Sequence, residues 1–211
     1  MGTTPRQSRG RAVYVIDVRP LDPSLLGAFA ELFDACASSC FCRYWHFEGN
    51  KNDWLGRLSR SPDTNRDEQS DLVLANDSRA RGLLALEDGG RAVGWMKLAP
   101  RSSVPKLRRL PVYKALDLGD DAGVYSVACL LVRPDRRHAG VAKALLAAAD
   151  GCVRAWGGSS LEAYPRRARE PMHDEEAWLG PEALFLGAGF VAVHDEAPYP
   201  VLRKKLDSGV T

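Results

Sequence analysis

The chain has 211 residues, 45% of them hydrophobic and 27% charged, with a formal net charge of +2. That is enough length and apolar content for one large domain with its own core, and the near-balanced charge argues against nucleic acid or an anionic membrane surface as a partner. No run is long and apolar enough to span a bilayer as a helix, and five cysteines without an export signal fit free thiols in a reducing, cytoplasmic setting better than a disulfide framework.

Residues 1–10, MGTTPRQSRG, are polar and basic without the apolar stretch of a secretory signal. They read as a disordered lead-in to a single domain over 11–211. Arg11 to Val18 is β-branched and aromatic and predicts a first strand, ended by Pro20 and Pro23. Leu25, Leu26, Phe29, Leu32, Phe33 and Cys36 then recur at helical spacing, so Cys36 continues an apolar face. After the unusual loop SSCFCRYWHFEG (Ser38 to Gly49), NDWLGRLSR and NRDEQSDLVLAN predict two helices, with Asn52 or Asp53 and Thr64 as caps. RGLLALEDGGRAVGWMKLAP predicts a hairpin that turns at Asp88-Gly89-Gly90. Arg101 to about Asp121 has little periodicity and reads as a long loop.

Val124 to Val132 is apolar throughout, which predicts a central strand. An Ala-rich helix, a strand SSLEAYP, a charged loop RRAREPMHDEE and a short helix follow. Pro181 opens that short helix at a first-turn position and glycine closes it. FVAVHDEAPYPVLRKKL closes the chain as two strands. This order fits an α/β fold, with one mixed central sheet and helices on both faces.

The join LLVRPDRRHAGVAKALL carries the clearest chemistry. A buried strand stops at Val132, and Arg137-His138-Ala139-Gly140-Val141-Ala142 opens a helix. A helix start offers unpaired backbone N–H groups at the positive end of its dipole. Gly140 lets a ligand approach the backbone, Ala142 keeps the turn uncluttered, and Arg137, His138 and Lys143 add positive charge. Such a turn suits a diphosphate. The pattern R-x-x-G-x-A is short, and a plain strand-to-helix turn is the competing reading.

These residues resemble the acyl-CoA-binding motif of the GNAT superfamily of N-acetyltransferases. EALFLGAGFVAV, about fifty residues later, resembles that family's short helix, Gly-Phe pair and strand, and the element order matches over nearly the whole chain. The resemblance implies a single-domain GNAT-like fold and acetyl-CoA as co-substrate, with no metal. It also implies a primary amine as acceptor, either a small molecule or a peptide. The strand ending at Val132 would part from the strand carrying Leu161 to Tyr164, and the pantetheine arm would pair near Leu130 to Val132. The diphosphate would lie on the amides of Arg137 to Ala142, and backbone near Leu131 would meet the oxyanion.

Two features depart from the family's pattern. The tyrosine that many members use as general acid corresponds to Phe185, and the usual asparagine of that helix is absent, with Trp178 nearby. Substitutes close in sequence are Tyr164, Glu162 two residues before it on the same strand face, and His173 beside Asp174 to Glu176. Each has a plainer reading, as a core aromatic, a surface carboxylate and a solvated loop. A non-catalytic acyl-CoA-binding or thiol-based sensor domain is the alternative function.

Cys36, Cys40, Cys42 and His46 lack the paired C-x-x-C spacing of a zinc site. In a GNAT-like fold their loop would wall the acceptor cleft, with Cys40, Cys42, Tyr44 and Trp45 as substrate-binding residues; core filling is the alternative. Adjacent thiols also leave a redox role open. Oligomeric state is not legible here, and a homodimer is one open arrangement.

Overall fold

A computed structural model describes residues 15–167 and 178–207. The expected lead-in, the N-terminal part of the expected first strand, and His173 lie outside the described residues. Seven strands form one sheet in the order β1-β2-β3-β4-β5-β7-β6. They are β1 (Asp17–Pro20), β2 (Gly82–Leu86), β3 (Ala92–Pro100), β4 (Val124–Val132), β5 (Ser160–Ala163), β6 (Val191–His194) and β7 (Val201–Lys205). Pro20 closes β1 rather than following it, which an edge strand tolerates because its outer side needs no N–H. All neighbours are antiparallel except β4 and β5.

That parallel pair shapes the molecule. β4 pairs with β3 along nearly its whole length, from Pro100↔Tyr125 to Gly94↔Val132. It pairs with β5 only over Val124–Val127 against Ser160–Ala163. β5 is four residues long, and Pro165, two residues beyond it, has no N–H with which to extend a ladder. The sheet therefore opens on one side of β4 from Ala128 onward, as the family resemblance implied. A register shift falls at the same place: Lys97 faces Cys129 and Leu98 faces Val127, leaving Ala128 as the extra residue of a β-bulge.

Helices cover both faces. α1 (Leu26–Ala35) lays Phe29, Leu32 and Phe33 against Leu84, Leu86 and Trp95. α6 (Val141–Ala155) lays Leu145, Leu146, Ala149 and Val153 on the other face, against Leu83, Met96 and Leu98. Gly94 lets the start of α6 sit close to β3: a Cβ there would fall 2.4 Å from Val141 Cγ1. α2 (Lys51–Arg60) and α3 (Thr64–Leu74) form where expected, with shifted caps. Asn50 caps α2, and Asp53 answers as the third residue of a capping box. Asp63 precedes α3 without a side-chain cap bond. The expected long loop after β3 contains two short helices, α4 (Pro105–Arg109) and α5 (Pro111–Lys114), each begun by a proline that presets φ. α7 (Glu182–Leu186) has Pro181 one position earlier than expected, at the N-cap. Among the described residues no helix is long and apolar enough to cross a membrane.

Candidate active site

A cleft of about 790 Å³ runs from the start of α6, past the opening beside β4, to the loop between α1 and α2. At one end the chain leaves β4, makes a turn at Pro134–Arg136 and enters α6 at Val141. His138 and Gly140 both take positive φ, 59° and 88°. The Gly140 carbonyl accepts from Ala144 N–H, so the helix ladder begins there and the amides just after Gly140 have no partner within the helix. A Cβ at Gly140 would point into open space. Arg137, His138, Gly140, Val141, Ala142 and Lys143 line the cleft, as do Leu131 and Val132; Ala139 sits in the same turn but off the wall.

The register decides which backbone groups face the opening. Arg133 N–H donates to the Val93 carbonyl, so that pair exchanges bonds across β3 and β4. By antiparallel alternation Leu131 also faces β3, while Leu130 and Val132 turn their N–H groups toward the opening. Of the backbone near Leu131 expected to meet an oxyanion, the N–H groups of Leu130 and Val132 are therefore the ones turned toward the opening, and Leu131 N–H is not. Leu130 N–H donates to the Trp178 carbonyl at 2.7 Å, so Trp178 occupies the place a paired ligand would take.

The loop after α1 forms the other end. Cys40, Cys42, Tyr44 and Trp45 all line the cleft, with Cys36, Phe33, Trp54 and Trp178. The Trp45 indole N–H donates to the Ala128 carbonyl at 2.7 Å, tying this loop to the bulge of β4. Trp45 also packs on Trp178, ring centroids 5.4 Å apart, and Tyr44 meets Trp54 edge-on at 5.4 Å. Trp54 was not singled out in the sequence; the signal available was a tryptophan in a mostly polar helix whose other apolar side chains are Leu55 and Leu58. Replacing Trp45 with Phe keeps an aromatic ring but strands a buried carbonyl. We expect a stability loss of about 1–3 kcal/mol in urea denaturation, the usual cost of one unmet buried polar group.

Tyr164 and Glu162 do not line the cleft, which corrects the expectation of Tyr164 as a substitute proton donor and Glu162 as a general base. Both are buried. Glu162 accepts from Arg101 Nη1 at 2.9 Å, from Arg203 Nε at 2.8 Å and from the Tyr164 hydroxyl at 2.7 Å. Ser126 Oγ lies 2.8 Å from the same hydroxyl. Burial and the adjacent Glu162 push the Tyr164 phenol well above its usual range, so it holds its proton. Sequence alternation placed the two on one strand face correctly, but it could not show that Arg101, 61 positions away, closes over them. Phe185 is fully buried against Phe190, ring centroids 5.4 Å apart, and is not on the cleft wall either.

His46 is no free base. Burial first, then the Lys97 and Arg43 cations, push its pKa down to about 2. Its Nδ1 lies 2.8 Å from the Ser103 carbonyl, so Nδ1–H donates there. Among the described residues no cluster of three or more His, Cys, Asp or Glu is placed to hold a metal ion.

The acetyltransferase (GNAT) family model matches residues 32–179, which contain both ends of the cleft. No curated protein matches the chain. Solved structures share the fold. A PaiA N-acetyltransferase from Thermoplasma acidophilum in complex with coenzyme A is 14% identical, covers 90% of this chain and 99% of its own, and superposes with a TM-score of 0.51. An N-acetyltransferase from Staphylococcus aureus Mu50 is 13% identical over 92% of this chain and 99% of its own, TM-score 0.51. An aminoglycoside 6'-acetyltransferase type Ii is 15% identical over 90% and 97%, TM-score 0.52. With the family model spanning β4, the turn into α6 and β5, this chain belongs to the GNAT acetyltransferase family.

Proposed function

We propose that the protein transfers an acetyl group from acetyl-CoA to a primary amine in the cytoplasm, by direct attack of the amine on the thioester. One observation carries this reading: a single cleft joins the helix-start turn at Arg137–Lys143 to the unpaired edge of β4 and then to the aromatic loop. The diphosphate lies on the amides after Gly140, with Arg137, His138 and Lys143 supplying charge. The pantetheine arm takes the place of a strand beside β4, a common mode of ligand pairing at an open sheet edge. For this the Trp178 carbonyl gives up Leu130 N–H, which then faces the arm or the developing oxyanion. Tyr44, Trp45, Cys40 and Cys42 wall the acceptor side.

The chemistry asks for little else. A thiol with an ordinary pKa of about 8.5 leaves as a thiolate at modest cost near neutral pH. Positioning of a neutral amine against the thioester supplies most of the remainder. This accommodates Phe185 at the family's tyrosine position.

Calorimetry of the purified protein with acetyl-CoA, CoA and a control nucleotide tests the reading. Micromolar binding of acetyl-CoA and CoA, with none of the control, is the expected result. A folded protein that binds neither would sink it. Thiol release across a panel of primary amines then identifies the acceptor.

A further inference from the structure

Three of the cysteines on the cleft wall are not equivalent. On one face of the sheet, β3 presents Trp95 and Lys97, two residues apart, and β4 presents Cys129 directly opposite Lys97. Cys42 comes down onto these from the loop after α1, packed in the core cluster that contains Trp95 and borders Cys129. The Trp95 indole N–H donates to Cys42 Sγ at 3.2 Å. Lys97 is fully buried, and its ammonium donates to the Arg79 carbonyl.

The backbone holds this arrangement at some expense. Phe41 and Cys42 take successive left-handed conformations, φ 44° and 56°, although neither is glycine. Non-glycine residues in this region are strained and concentrate where function overrides local preference. Here the result is a sulfur held against the Trp95 N–H, in the cluster that Cys129 borders.

The two sulfurs are set in different states. Burial opposes ionisation of Cys42, but the Cys129 thiol, the Lys97 ammonium, the Trp95 N–H and the Arg43 guanidinium together hold its pKa below the usual thiol value. Cys129 goes the other way: its interaction with Cys42, then desolvation, then the charge on that sulfur push its pKa well above the usual thiol value, so it keeps its proton. Cys40, pushed up to about 11 by burial and then by Cys42, also stays a thiol. Burial pushes Lys97 down to about 7, while Cys42 is the first influence pulling it back up. A thiolate beside a protonated thiol is the arrangement of an attacking and a resolving cysteine.

We propose that Cys42 and Cys129 form a peroxide-reactive dithiol site in the wall of the cleft. The Cys42 thiolate attacks one oxygen of hydrogen peroxide; the S–O bond forms, the O–O bond breaks and, with a proton, water leaves. Cys42 is then a sulfenic acid. The Cys129 sulfur, losing its proton, displaces that oxygen; the S–S bond forms, the S–O bond breaks and a second water leaves. The two thiols together give up two electrons and two protons, and peroxide is reduced to two waters. Both residues line the cleft, Cys129 half-buried and Cys42 nearly wholly buried, so a small oxidant reaches the pair from the cleft side. The site stands apart from the acyl-transfer reading, because it requires only these two sulfurs and peroxide.

The test treats the full chain with hydrogen peroxide under non-denaturing conditions, blocks remaining thiols and maps the disulfide by peptide mass spectrometry. The expected result is loss of two free thiols per chain, a Cys42–Cys129 linkage and full recovery with dithiothreitol. Cys129→Ser should leave Cys42 as a sulfenic acid that dimedone traps, and Cys40→Ser should still form the linkage. A Cys40–Cys42 linkage, intermolecular linkage only, or an unchanged thiol titre in the wild-type protein would each overturn the proposal. The mapping on the wild-type chain decides the matter even if a variant folds poorly.

Discussion

Gly140→Asp is expected to bind CoA at least about tenfold more weakly than the wild-type protein, a loss of about 1.4 kcal/mol or more. The argument starts from the backbone. Gly140 sits at φ 88°, where an L-residue is strained, and its carbonyl opens the α6 ladder. Nothing lies within 4 Å of the position a Cβ would take, so packing alone does not demand glycine. The carboxylate of Asp would add negative charge at the amides proposed for the diphosphate. Gly140→Ala separates the two effects, since it carries the strain without the charge. Calorimetry on both variants should rank wild type above Ala and Ala above Asp. Equal affinity in all three would place the CoA diphosphate elsewhere.

That prediction rests on a feature legible in the sequence. A buried strand, a Pro-Asp break, a basic pair and a glycine before an apolar helix are all local signals, and each formed where its residues said it would. So did α1 and the β2–β3 hairpin at Gly89 and Gly90, whereas the opening beside β4 came only from the family resemblance. The errors share a cause. Asn50 rather than Asn52 caps α2 because a capping box needs a partner three residues on, and Asp53 meets that condition only for Asn50. The run after β3 reads as loop because α4 and α5 are too short to show a period. Glu162 reads as a candidate base because nothing near it in sequence reveals Arg101 or Arg203. Cys129 is one residue of an apolar strand in the sequence, and Cys42, whose cluster it borders in the fold, arrives from a loop 87 positions earlier. Local propensity and spacing are written along the chain; long-range polar pairing is not.

Glu162→Gln therefore separates two readings of one residue. If Glu162 were a general base, the variant would keep its stability and lose turnover. The structure points to the opposite result. Arg101 is fully buried and meets Glu162, also fully buried, at 2.9 Å, with Asp121 on its other side at 2.5 Å. Arg203 reaches the same carboxylate from β7. The pair links the segment after β3 to β5 and β7. It therefore braces the strand whose short length opens the sheet beside β4. Neutralising the carboxylate leaves two guanidiniums facing an amide that can accept but not balance their charge. Breaking a buried pair in this way costs about 3–5 kcal/mol. For a chain of this size that is a fall in Tm of roughly 10 °C, at about 2–4 °C per kcal/mol. Thermal and urea denaturation of Glu162→Gln should show that loss, while calorimetry on the folded variant should return the wild-type affinity for acetyl-CoA. A variant as stable as wild type but without turnover would return Glu162 to the chemistry. Loss of stability with retained affinity would fix it as a structural brace joining the segment after β3 to β5 and β7.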